Sequence, residues 1–190
     1  MNQSKTAIPF YQLESKRLII RPWKETDFSA FKAMNSDPLV MEHFPAILSE
    51  DESRTLFDEI NRRIDQNGFG FWACEVKATG DVIGFVGLNE PTDQFYFSPC
   101  IEIGWRLRSQ YWRQGYAKEA ATAVLKFAFE TLKRDKVVAF TATTNKPSES
   151  LMQALGMTIM PENFFHPRLP KDHLLAEHVV YQIQADQYKC

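Results

Sequence analysis

The segment Trp112-Arg113-Gln114-Gly115-Tyr116-Ala117 lies between a strand pattern and the strongest helical pattern of the chain. A helix N-terminus presents unpaired backbone N–H groups and the positive end of the helix dipole. That arrangement binds a phosphate group without help from side chains. Gly115 and the small Ala117 let the backbone come close to an anion, and Arg113 adds charge for a pyrophosphate. The same residues also suit a plain strand-to-helix turn. Taken alone, the segment leaves both readings open.

Other reactive residues narrow the field. His166, His173 and His178 match no structural zinc spacing and have no cysteine pair nearby, so no metal is expected. Cys74, Cys100 and Cys190 are scattered, without CxxC spacing, which fits a reducing compartment better than a disulfide framework. Residues Met1 to Thr6 contain no apolar h-region, so no signal peptide is expected. No apolar run approaches the roughly 18 to 20 residues that span a bilayer. The 190 residues are 44% hydrophobic and 24% charged, with a net charge of −2. That balance suits one globular domain and argues against a dedicated nucleic-acid or membrane binder. The expected location is cytoplasmic.

The elements that must position the segment follow from periodicity. A leader over 1–12, one domain over 13–185 and a tail over 186–190 are expected. Arg17 to Trp23 reads as a strand, and Thr26 to Asn35 as a helix with Thr26 as its N-cap. Ser49-Glu50-Asp51-Glu52 is a capping-box pattern opening a helix that Asn67-Gly68 stops. Phe69 to Lys77 and Asp81 to Leu88 form a hairpin, its second strand apolar on both faces. Ile101 to Arg108 alternates, with Ile101, Ile103, Trp105 and Leu107 on one face and Glu102, Gly104, Arg106 and Arg108 on the other. Gly115 to Lys133 is the main helix, Val137 to Thr143 a strand, Pro147 to Leu155 a short helix, and strands at 157–160 and 177–183 close the chain. The predicted fold is mixed α/β: a central, mostly antiparallel sheet of about seven strands with helices on both faces.

Four ordered motifs carry a resemblance. Glu102-Ile-Gly-Trp-Arg-Leu followed by Tyr111-Trp-Arg-Gln-Gly-Tyr-Ala-Lys-Glu-Ala resembles the acetyl-CoA motif of the GNAT superfamily. Leu13 to Pro22 is similar to the opening strand of its ribosomal-protein N-terminal acetyltransferase branch. Ser36-Asp37-Pro38-Leu39-Val40-Met41 resembles the end of that branch's first helix. Asn145 to Met157 is similar to its Asn-x-x-Ser…Leu-Gly motif. The superfamily pattern places Gln or Arg three residues before the first glycine of its Gly-x-Gly/Ala; here Trp112 stands there, while Gly115 and Ala117 fit.

The resemblance implies a GNAT fold and transfer of an acetyl group from acetyl-CoA, as cosubstrate, to a primary amine. Trp112, Arg113, Gln114, Gly115, Tyr116 and Ala117 would then hold the pyrophosphate. A bulge at Trp105, Arg106 and Leu107 would aim backbone groups at the thioester and pantetheine arm, and Asn145 would bind the arm. Ser148 would assist the leaving thiolate. An amine with a pKa of about 10.4 must lose a proton before attack. Glu102 is the candidate general base, with Glu90 and Glu162 as rivals, and His166 is a candidate acceptor-site residue. A peptide N-terminus, free amino acid, polyamine or aminoglycoside remains open as acceptor. An acyl-CoA sensor without turnover and a transferase for longer acyl chains are the competing readings. Either a monomer or a homodimer fits.

Overall fold

The computed structural model describes residues 11–188; the first ten residues of the expected leader and the end of the tail, with Cys190, lie outside the described residues. The chain runs β1 (Leu13–Glu14), β2 (Leu18–Arg21), α1 (Phe28–Asn35), α2 (Glu50–Asn67), β3 (Phe71–Val76), β4 (Val82–Asn89) and β5 (Glu102–Leu107). It continues with α3 (Tyr116–Lys126), β6 (Lys136–Ala142), α4 (Lys146–Ala154), β7 (Thr158–Ile159), β8 (Phe164–Phe165) and β9 (Glu177–Gln184). The sheet has nine strands in the order β1-β2-β3-β4-β5-β6-β9-β7, with β8 also on β9. Its pairs are antiparallel except β5 with β6. The two strands beyond the expected seven, β1 and β8, are two residues each, too short to show a period.

α1 and α2 cover one sheet face. Ser49 accepts the Glu52 N–H at 3.2 Å while Glu52 accepts the Ser49 N–H at 2.7 Å, the reciprocal bonds of a capping box. Gly68 ends α2 at φ +78°. Phe57, Ile60 and Ile64 turn inward, and Phe57 meets Trp23, Phe28 and Phe31 edge to face at ring separations of 5.6, 5.5 and 5.3 Å. The expected N-cap at Thr26 is displaced. A short 3-10 turn, Glu25–Asp27, precedes α1, and the Asp27 carboxylate accepts the Lys24 N–H at 2.7 Å. Asp27 also binds the buried Arg21 at 2.7 Å, and Arg21 reaches Glu75 at 2.7 Å. Burial alone would lower the Arg21 pKa, but the two carboxylates hold it above its ordinary value.

α3 and α4 cover the opposite face. Ala120, Ala121, Val124 and Leu125 of α3 are buried in the core that includes Trp72. The expected single helix to Lys133 changes pitch: Phe127–Thr131 is a π-turn, in which Leu132 N–H reaches back to the Phe127 carbonyl. Tyr11 packs edge-on against Phe127 at 4.8 Å, so the end of the expected leader is part of the core. Tyr188 returns from β9 to lie 5.1 Å from Phe129. Among the described residues, no helix is long and apolar enough to cross a membrane.

Candidate functional site

The turn from β5 into α3 places Gly115 at the N-cap with φ +80°, a conformation glycine adopts freely, and Arg113 at φ +58°. No side chain caps this helix, and Glu119 N–H, bonded to the Gly115 carbonyl at 3.0 Å, makes the first helical bond. The N–H groups of Tyr116, Ala117 and Lys118 are therefore left for a ligand. The acid of this first turn, Glu119, would repel an anion, but it is neutralised in place. Although burial raises its pKa, Ser15 at 2.7 Å and Arg17, through its backbone at 2.6 Å and Nε at 2.7 Å, hold it below its ordinary value. Arg113 and Gln114 are exposed beside the turn. Trp112 spends its indole N–H on the Leu107 carbonyl at 2.7 Å, so the residue that replaces Gln or Arg braces the turn.

Next to this turn the sheet opens. β5 and β6 share one register pair, Glu102↔Val138, and Val138 N–H bonds the Ile101 carbonyl at 2.9 Å. In β5 the backbones of Glu102, Gly104 and Arg106 face β4, while those of Ile103, Trp105 and Leu107 face β6. Beyond the shared pair, the Trp105 N–H and C=O and the Leu107 N–H find no strand partner among the described residues. They line a gap that suits the amide groups of an extended ligand.

The expected bulge over Trp105, Arg106 and Leu107 is not present. The register runs unbroken from Gly84↔Leu107 to Asn89↔Glu102. The irregularity lies one ladder away, between Cys74 and Glu75 opposite β4, beside Gly84 at φ +139°. The gap arises because two parallel strands part, and β5 itself stays regular. Arg106 consequently turns its backbone to β4 and its side chain to the α1 face, away from the gap.

On the gap's α4 side, the Trp105 indole N–H donates to Ser148 Oγ at 3.3 Å. The serine hydroxyl keeps its own proton to give. Asn145 is the N-cap of α4: its Oδ1 accepts Ser148 N–H at 3.2 Å and its Nδ2 donates to Thr141 Oγ1 at 2.9 Å. One N–H and one lone pair of that amide stay uncommitted.

Glu102 sits at the closed end of the gap on the α1–α2 face. Asn89 Nδ2 donates to its Oε2 at 3.1 Å, and Arg63 of α2 orients Asn89 at 2.7 Å. Burial pushes the Glu102 carboxyl up to about 7, against smaller lowering by Asn89, Arg63 and Arg168. A carboxyl titrating near neutral pH is suited to accept and release a proton. Its rivals are elsewhere: Glu90 is exposed and paired with Arg134 at 2.5 Å, and the Glu162 side chain is exposed. His166 lies near the same face, 5.1 Å from the ring of His178 within a cluster of Phe95, Phe140 and Phe164. His178 is half-buried; burial first, with His166 adding to it, lowers its pKa to about 4 despite the Ala176 carbonyl. Among the described residues no group of His, Cys, Asp or Glu is placed to hold a metal ion.

The residues fit a phosphorylated, amide-containing acyl carrier, with N–H groups for its phosphates, unpaired strand amides for its arm, and a proton acceptor and a hydroxyl at the reacting end. Sequence reasoning missed the Trp105 indole, Asn89 and Arg63, whose contacts with Ser148, Glu102 and each other span 13 to 43 residues. The apolar alternation of β5 marks Trp105 as a core residue and hides its polar edge.

A family model described as acetyltransferase (GNAT) domain matches residues 17–158. The uncharacterized N-acetyltransferase YnaD of Bacillus subtilis (strain 168) is 27% identical over 176 residues, covering 93% of this chain and 98% of its own. The FsC-acetyl coenzyme A-N(2)-transacetylase of Aspergillus fumigatus is 30% identical over 161 residues, covering 81% of this chain and 67% of its own. The solved spermidine N-acetyltransferase of Vibrio cholerae, in complex with CoA and spermine, matches with a TM-score of 0.70 at 19% identity, over 90% of this chain and 98% of that one.

Proposed function

The chain belongs to the GNAT family of acetyltransferases, and on that premise we propose that it moves the acetyl group of acetyl-CoA onto a primary amine by direct attack. The observation that carries this reading is the alignment of three features: the uncapped start of α3, the β5–β6 gap and the Trp105–Ser148 contact. The CoA bound to the Vibrio relative supports the same ligand here. Bound acetyl-CoA supplies a thioester already activated toward an amine.

The residues of this chain do the rest. The N–H groups of Tyr116, Ala117 and Lys118, with Arg113, hold the pyrophosphate. The Trp105 and Leu107 backbone and the free valences of Asn145 hold the arm in the gap. Glu102 takes the proton of the attacking ammonium, directly or through a water. The new N–C bond forms as the C–S bond breaks, and Ser148 hands its proton to the sulfur and regains one from solvent. The motif resemblance supports a place beside the ribosomal-protein N-terminal acetyltransferases. Free Cys74 and Cys100 support a reducing, cytoplasmic setting.

Calorimetry with acetyl-CoA tests the cofactor site. Wild type is expected to bind and Gly115→Glu to lose binding. Gly115→Ala, which shares the strain of a positive φ without the charge, is expected to keep most of it. Absence of wild-type binding would remove the basis of the reading.

A further inference from the structure

The fold holds two largely buried arginines and treats them differently. Arg21 has two carboxylates, Asp27 and Glu75. Arg106 has none among the described residues. Its Nη1 donates to Asn35 Oδ1 at 2.6 Å, and its guanidinium lies 4.0 Å from the ring centre of Phe44 and 5.4 Å from that of Phe85. Its Nε is buried without a partner. Asn35, at 0% exposure, also has its Nδ2 buried without a partner. Both unfilled groups are donors. Ring faces offset part of the charge but accept no in-plane N–H bond. The nearby carboxylate of Asp37 is already committed to Ser109 Oγ at 2.6 Å and Leu39 N–H at 2.9 Å.

We propose that Arg106 and Asn35 form a carboxylate-binding subsite of the acceptor pocket, so that the amine acetylated here also carries a carboxylate. A guanidinium fork matches a planar carboxylate in two parallel bonds, and the Asn35 amide supplies a further donor. Although burial lowers its pKa to about 10, Arg106 keeps its charge at neutral pH.

Placement ties the subsite to the reaction. Arg106 and Glu102 lie on the same face of β5, with only Gly104 between them. A side chain at Gly104 would strike Phe71, its Cβ falling 2.9 Å from Cε1 of that ring, so Phe71 floors the interval. The residue before Arg106 is Trp105, which lines the thioester gap. A molecule whose carboxylate is held by the guanidinium would thus lie along the face of β5 that carries Glu102, with its amine directed toward that carboxyl. This inference rests on the proposed amine acetylation and narrows its acceptor to amino-acid-like molecules.

The test uses the full chain and matched probes: free L-amino acids and their α-carboxamides. Initial rates are read as thiol release from acetyl-CoA. Binding of the same amino acids to CoA-loaded protein is read by calorimetry. Wild type is expected to favour the acids over the amides by about thirtyfold or more in kcat/KM, chiefly through KM. Arg106→Gln is expected to erase the preference, lowering kcat/KM on the acids by about thirtyfold more than on the amides. Asn35→Asp keeps the fold testable by placing a counterion inside; it is expected to raise the melting temperature and weaken binding of the acids. Equal use of acids and amides by wild type, or equal loss of both in Arg106→Gln, overturns the proposal. So does the absence of binding by any free amino acid. Binding that is lost in Arg106→Gln without turnover of any probe would uphold the subsite and count against the transferase reading alone.

Discussion

Replacing Glu102 by glutamine keeps the size of the side chain and the hydrogen bond from Asn89 but removes the ionisable group. Burial raises this carboxyl from 4.5 to about 7, and at about 1.4 kcal/mol per pH unit the ionised form costs the folded state roughly 3 kcal/mol. A carboxyl whose folded pKa lies above its unfolded value holds its proton longer in the folded state. The cost is therefore absent below pH 4.5, grows as pH rises toward 7, and is complete above it. Glu102→Gln is expected to match wild type in denaturant unfolding at pH 4. At pH 8 it should be the more stable by up to about 3 kcal/mol. Activity should move the other way. Wild-type kcat/KM rises through an inflection near 7, and the variant loses that limb and falls by about 10²- to 10⁴-fold. The gain at pH 8 with the loss of the limb is the pattern of a site that trades stability for a usable base. A stability difference that is the same at pH 4 and pH 8, or a rising limb that survives in the variant, would refute the assignment.

Ser148→Ala removes the hydroxyl held by the Trp105 indole. A thiol with a pKa of about 8.5 leaves easily, so kcat is expected to fall only about tenfold, with KM for acetyl-CoA unchanged in steady-state kinetics. Asp27→Ala strips the buried Arg21 of one of its two carboxylates and leaves Lys24 N–H uncapped, and urea unfolding should register a loss of about 3 kcal/mol or more.

Legibility followed the range of the interaction. The α2 capping box was readable because Ser49 and Glu52 lie three residues apart and answer each other's backbone. The alternation of β5 and the small-residue stripe of α3 were readable because burial imposes a period on them. The α1 cap was misplaced because Asp27 is drawn to Arg21 as well as to Lys24, a tertiary pull that no local pattern encodes. The π-turn after α3 is a change of hydrogen-bond partner that leaves the apolar spacing nearly intact. At the site, the α3 turn and the Glu102 position were legible from the motif. The electrostatic state of Glu102 was not, because it is set first by burial, which only the packed fold imposes, and then by the opposing pull of Asn89, Arg63 and Arg168, which come from β4, α2 and the loop before β9. The contact of Arg106 with Asn35 crosses 71 residues and joins two side chains that each look ordinary in their own segment.

The parting of β5 and β6 has a mechanical side. A nine-stranded sheet would ordinarily resist bending along every ladder, yet here one residue pair joins its two halves. On one side of that seam α3 lies against β1, β2, β4 and β5, and it touches α4 beyond it. The helix acts as a keel. An anion seated at its N-terminus and an arm lying in the seam would load the same piece of structure from two directions, stiffening a joint that the backbone leaves loose. Occupancy of the site would in this way bear on the rigidity of the whole sheet.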